Sequence, residues 1–246
     1  MQHVGRVLPD GSEAVYVWFE AMHTRVDMLL RGRAPLTSEG LLAVAAEVQT
    51  LLGHLERVGN KFDPESEISR LCAAGAGREV ELSEDLFEML RLCKEYHRST
   101  GGLFDITVGS AGHTPSTIDS VQLESDGRRC TLGREGIRLD LSGFIKGYVL
   151  DRIRPLLLER GIKDALVSLG NSSIMAMGDV PGPVKDGCLT TSGNSSATRR
   201  HIVNPLTGEY ACGEGSVSVR TSSGAEGEVA AKRQFLELRA KSLVSS

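Results

Sequence analysis

Four stretches of this 246-residue chain gather small polar residues beside apolar runs: "FDITVGS" at 104–110, "LSGFIKG" at 141–147, "LTTSGNSS" at 189–196 and "HIVNPLTG" at 201–208. Gly, Ser, Thr and Asn at a strand end let backbone N–H groups and hydroxyls converge on an anion such as a phosphate. The same residues also make ordinary turns, so no single stretch carries a site by itself. Neither G-x-x-x-x-G-K-[ST] nor G-x-G-x-x-G occurs, which removes the standard nucleotide fingerprints. Lys146 adds a cation near the start of an expected helix. His201 is the one histidine inside such a stretch. A neutral imidazole beside a phosphate can act as general base near neutral pH; a hydrogen-bonding structural histidine is the alternative. Glu226 and Glu228 offer the carboxylate oxygens that Mg2+ accepts together with phosphate oxygens, and a solvated helix face explains them equally well.

The elements that must position these groups follow from periodicity. Thr37 or Ser38 can cap a helix with Leu41, Leu42, Ala45, Val48, Leu52 and Leu55 on one face and Gly59 at its end. A second helix is predicted from Ser83 through Leu86, Leu90, Cys93 and Tyr96, stopping at Gly101-Gly102, with Glu84 and Asp85 suiting its N-terminus. Short strand-type runs follow: "LFDITVG", "SVQLE", "RRCTL", "IRLDL", "DALVSLG", "SSIMAMG", "HIVNP" and "GSVSVR", with Asp126-Gly127 a tight hairpin. Helical periodicity returns over 145–160, where Pro155 predicts a kink or an early break, and again after Gly224. This order predicts an α+β fold with mostly antiparallel pairing. The stretch "GDVPGPVKDG" (178–187) reads as a surface connection between two sheets.

Composition excludes some functions. With a net charge of -4, and basic residues mixed among acids, the chain lacks the electrostatic footprint for nucleic acid or an anionic membrane. Cys72, Cys93, Cys130, Cys188 and Cys212 are odd in number, widely spaced and without C-x-x-C spacing, which suits a reducing compartment. The N-terminus has no basic region leading into a long apolar run, and no segment approaches the ~20 apolar residues of a membrane span. A cytoplasmic protein is therefore expected.

"FEAMHT", "FDPESEISRL", "GGLFDITVG", "LDLSGFIKGYVLD", "LTTSG" and "HIVNPLTG" follow one another along the chain, and in this order they resemble the segments of the ApbE-type FAD:protein FMN transferases, also called thiamine-biosynthesis lipoproteins. "FEAMHT" is similar to the family's Met-Gly-Thr stretch, "FDPESEISRL" to its Ser-Glu-Ile-Ser-Arg segment, and "GGLFDITVG" to Gly-Gly-x-Phe-Asp-x-Thr-Val-Gly. "LDLSGFIKGYVLD" resembles Asp-Leu-x-Gly-Ile-Ala-Lys-Gly-Tyr-x-x-Asp, "LTTSG" the Ala-Thr-Ser-Gly turn, and "HIVNPLTG" His-Ile-x-x-Pro-x-Thr-Gly. The resemblance implies an ApbE-like α+β fold of mixed, mostly antiparallel sheets with packed helices and a groove for FAD. It extends to one domain over 1–246, or two closely packed subdomains. The activity it implies is metal-dependent transfer of FMN from FAD to a Ser or Thr hydroxyl of a partner protein, with release of AMP. Carried over, Met22, Phe62, Leu103, Phe104, Asp105, Ser142, Tyr148 and Ile202 line the flavin nucleotide, His201 is the candidate base, and the Ile145 carbonyl and Glu228 hold Mg2+.

This chain also departs from the family pattern. His23 stands where the family has Gly, and can crowd the flavin or turn away. The connections before "LDLSG" and "LTTSG" are short, the second implying a lost strand and a narrower groove. The family's Ala-Asp-x-Leu-Ala-Thr-Ala-Leu-Phe becomes "GEVAAKRQF", placing Glu228 at the metal-binding Asp and Lys232 at the metal-binding Thr. An ammonium there repels a cation unless it turns outward. A FAD-binding paralogue without metal catalysis, or a FAD pyrophosphatase, are the competing readings.

Overall fold

The computed structural model describes residues 1–194 and 201–244. Along the chain lie β1 (Gln2–Val7), β2 (Glu13–Ala21), β3 (Thr24–Gly32), α1 (Ser38–Gly59), α2 (Glu67–Ala73), β4 (Glu79–Glu81) and α3 (Glu84–Ser99). They are followed by β5 (Val121–Glu124), β6 (Arg129–Leu132), α4 (Ile145–Glu159), β7 (Asp164–Leu169), β8 (Ser173–Met177), β9 (Gly187–Asn194), β10 (Gly215–Thr221) and α5 (Gly224–Val244). The α+β class and the antiparallel pairing are as expected: β1 with β2, β2 with β3, β3 with β7, β7 with β8, β8 with β9, and β6 with both β4 and β5.

Two compact units divide the chain. The first comprises Met1–Glu56, Lys146–Thr191 and Ser218–Glu228. Its strands belong to a sheet of order β1-β2-β3-β7-β8-β9-β10. Val15, Val17 and Phe19 of β2, and Val26, Met28 and Leu30 of β3, are buried at alternate positions, as the two-residue period of a strand requires. These N-terminal strands add to the runs read from the sequence. In α1, Leu41, Ala45, Val48, Leu52 and Leu55 of the predicted stripe are fully buried, while Leu42 is only half-buried. α4 runs through Pro155 to Glu159, so the early break does not occur. The 178–187 stretch joins β8 to β9, neighbours in one sheet, instead of linking two sheets.

Met22 and His23 form the two-residue connection between paired Ala21 and Thr24, with φ of 53° and 56°. Two left-handed residues are what a type I′ hairpin turn demands, and Gly adopts that conformation without the Cβ penalty. His23→Gly is therefore expected to stabilise the chain by about 0.5–1 kcal/mol. A urea midpoint that stays put or falls contradicts this reading of the turn.

The second unit comprises Arg57–Ile145, Ser192–Val217 and Val229–Ser246. It holds the small sheet β4-β6-β5, with Gly127 at φ 74° in the β5–β6 turn as the Asp-Gly pair predicts. Ser83 caps α3 by accepting from Leu86 N at 3.2 Å. "LFDITVG" and "IRLDL" do not become strands. Asp105 Oδ1 instead accepts from Thr107 N, and Asp140 Oδ1 from Ser142 N, local turns that compete with a ladder. "HIVNP" contributes one bridge, Val203 with Tyr210. "LTTSG", likened to a turn, lies within β9, and Ser195 and Ser196 of the longer polar stretch "LTTSGNSS" fall outside the described residues. No helix among the described residues is long and apolar enough to cross a membrane. All five cysteines are free thiols.

Candidate functional site

In the first unit the start of α4, the β7–β8 turn, β9 and the first turn of α5 bring polar groups together. Lys146 Nζ donates to Ser172 Oγ, and the Ser172 carbonyl accepts from Thr191 N at 2.8 Å. One residue on, Ser173 Oγ donates to Glu228 Oε1 at 2.6 Å, and Glu228 is only 3% exposed. Two glycines allow this approach. A Cβ at Gly147 would lie 2.1 Å from the Gly224 carbonyl oxygen and 2.7 Å from Glu228 Cγ; one at Gly227 would lie 2.5 Å from Thr190 Oγ1. Asp151 then ties α4 to α5, accepting from Ser223 Oγ and Gly224 N at 2.7 Å each and from Ala225 N at 2.9 Å. Those N–H groups are ones a helix start leaves without intrahelical partners, so a carboxylate there serves as cap and dipole complement.

Tyr148 is buried on α4 in the same unit. Met22 sits half-buried in its hairpin turn, where its N–H donates to Glu56 Oε2 at 3.0 Å. The His23 side chain is 71% exposed, with Nε2 4.0 Å from Glu56 Oε1.

The second unit joins pieces of five of the six motif segments or their flanks. Lys61, just before "FDPESEISRL", pairs with Asp140 of "LDLSG". Phe62 is 73% exposed, with Lys61 Nζ 4.9 Å from its ring centroid. Ser142 is exposed one step beyond Leu141, whose carbonyl accepts from Phe144 N and Ile145 N to open α4. Phe104 packs its ring 6.1 Å from Phe144, and the carbonyl of Ile106 accepts from Asp140 N at 2.8 Å. The Asp105 carboxylate is fully enclosed. Oδ1 accepts from Thr107 N and Oγ1 at 2.6 Å each, while Oδ2 lies 3.0 Å from His113 Nε2 and 3.7 Å from His97 Nδ1. Leu103 packs against a cluster of Ile202, Ala211, Phe235 and Leu236. His201, before Ile202, is exposed. Ile145 presses its Cδ1 on Gly59, where a Cβ would lie 2.4 Å away. Lys232 does not turn outward: its Nζ donates to the Gly143 carbonyl at 2.6 Å.

Ile145 and Glu228 belong to different units, and among the described residues no three or more His, Cys, Asp and Glu side chains form a group suited to a metal ion. Sequence reasoning missed Lys61, Asp140, Asp151, Ser172 and Ser173. Asp140 and Asp151 end up as anchors at the two ends of the quoted "LDLSGFIKGYVLD" stretch, so its boundary carboxylates were a usable signal. The two serines carried none.

Burial alone would raise the Asp140 carboxyl; the Lys61 ammonium and the Ser142 donors outweigh it and hold the group below its ordinary value. A carboxyl lowered on folding contributes stability fully present above its unfolded pKa, near ~3.9, and lost as pH falls through the folded value. Lys61→Met is accordingly expected to move the acid-unfolding midpoint to higher pH. An unchanged midpoint by circular dichroism contradicts the pairing.

The antiparallel α+β arrangement is that of a flavin-transferase fold. The structure matches the Vibrio cholerae flavin transferase ApbE with a TM-score of 0.78, covering 92% of this chain and 87% of that one, at 18% identity, a likeness of fold. The chain belongs to the ApbE family, which it matches over residues 22–244. A Klebsiella pneumoniae relative named FAD:protein FMN transferase is 23% identical over 232 residues, spanning 76% of this chain and 73% of the relative. A Chlamydia muridarum protein of the same name is 27% identical over 126 residues, 43% of this chain and 40% of its own length.

Proposed function

We propose that this chain, acting as one domain over 1–246, transfers FMN from FAD to a Ser or Thr hydroxyl of an acceptor protein. Family membership over residues 22–244, together with the shared name of its relatives, carries the reading. In the reaction the acceptor oxygen attacks the FMN phosphorus of FAD. A new P–O ester bond forms, the bridging P–O bond breaks, AMP leaves with the bond electrons, and the hydroxyl proton passes to a base. His201 is exposed and is the candidate for that base. Phe62, 73% exposed, is the aromatic group proposed to stack on the flavin, and Met22, Leu103, Phe104, Asp105, Ser142, Tyr148 and Ile202 are the other groups proposed to line the nucleotide.

The divalent ion implied by the resemblance does not suit these donors. Glu228 already accepts from Ser173, and the position matching the second side-chain ligand is Lys232, whose ammonium lies at the Gly143 carbonyl.

Incubation with FAD and a hydroxyl-bearing acceptor, with and without EDTA, followed by separation of AMP and FMN, tests the proposal. AMP released in step with acceptor, with no free FMN, is the expected result. Retained FAD with no AMP identifies a binding paralogue, and free FMN with AMP but no adduct a pyrophosphatase; either outcome sinks the transferase reading.

A further inference from the structure

We propose that the Lys232 ammonium supplies, as part of the chain itself, the positive charge at the "LSGFIKG" corner, so that the protein holds FAD without a divalent ion. The inference rests on the flavin-nucleotide reading above. Three observations, all within one unit, carry it. Lys232 Nζ donates to the Gly143 carbonyl at 2.6 Å, 89 residues away in sequence, with the contact half-buried. The glycine is shaped to it: a Cβ at position 143 would lie 2.5 Å from Lys232 Cε and 3.0 Å from its Nζ, so the lysine stem occupies the space a side chain would take. The corner itself is a fixed turn, with the Leu141 carbonyl accepting from both Phe144 N and Ile145 N, so the Gly143 carbonyl is held in place for its donor.

Chemically an ammonium is a compact point charge with three donors. One of them goes to the carbonyl of Gly143, which stands two residues before Ile145 in the sequence, the residue whose carbonyl the resemblance gives to the ion. A cation brought to this corner meets repulsion from the ammonium held at the Gly143 carbonyl. An anionic pyrophosphate meets attraction, and receives it without the loss of metal-bound water.

Two measurements on the full chain test the proposal. Electron paramagnetic resonance of Mn2+ titrated into the wild-type protein, without FAD, is expected to show the free-ion signal throughout; uptake of one Mn2+ per chain overturns the proposal. Flavin-fluorescence titration of FAD in EDTA is expected to show Lys232→Met weakening binding by about 10-fold or more, the loss expected for one charged hydrogen bond, while Lys232→Arg recovers most of it. Equal affinity of Lys232→Met and wild type overturns it as well. The Mn2+ measurement needs only the wild-type chain, so a variant that does not fold leaves the proposal open to refutation. Failure of the wild type to bind FAD at all sinks the flavin reading, whereas Mn2+ uptake by a FAD-binding protein sinks this inference alone.

Discussion

Gly147→Ala is expected to destabilise the chain by about 3 kcal/mol or more, the upper range for overpacking a core. The added methyl would sit 2.1 Å from the Gly224 carbonyl oxygen and 2.4 Å from its carbon, and both are backbone, which cannot rotate away. Gly224 faces the same restriction, since its own Cβ would lie 2.4 Å from the Gly147 carbonyl. Relief requires the start of α5 to move off α4, which strains the three hydrogen bonds that Asp151 accepts and moves Glu228, whose Cγ would lie 2.7 Å from the new methyl. The loss should appear as a lowered denaturant midpoint at unchanged slope. A variant with wild-type stability shows that α4 and α5 do not approach as described.

Asp105→Ala is expected to cost about 3 kcal/mol and to weaken FAD binding at the same time. Its enclosed carboxylate takes the Thr107 N–H and hydroxyl and lies against His113, so truncation leaves buried donors without an acceptor. Phe104 and Leu103 precede it directly, and the Ile106 carbonyl after it receives the Asp140 N–H, so a loosened turn shifts the "LDLSG" segment too. Asp105→Asn keeps an oxygen for Thr107 and is expected to recover about half the loss. Unchanged stability in Asp105→Ala, measured in urea, contradicts the anchoring role; unchanged FAD affinity by fluorescence titration contradicts the carry-over of this position to the flavin.

Elements governed by local rules were legible in the sequence. The Ser83 cap and the Leu41-to-Leu55 stripe gave both long N-terminal helices, because capping and helical period act over a few residues. The alternation Val15, Val17, Phe19 was equally local and could have revealed β2. The "LFDITVG" run departs from the strand reading for a different reason: its Asp105 side chain hydrogen-bonds the backbone two residues on, and that turn outcompetes the ladder. The site was legible only by resemblance. Ser173 and Glu228 are 55 residues apart and Lys232 and Gly143 are 89 apart, and no periodicity links such pairs. Lys232 shows the limit well, since its ammonium looks disruptive in sequence yet the fold gives it a specific acceptor.

The most direct test of the central claim is the intact mass of an acceptor protein after incubation with this chain and FAD. The account predicts a mass increase equal to one FMN joined through a phosphoester, absent when the target Ser or Thr of the acceptor is replaced by Ala. An acceptor of unchanged mass, from incubations in which the chain demonstrably binds FAD, contradicts the claim that this protein is a flavin transferase.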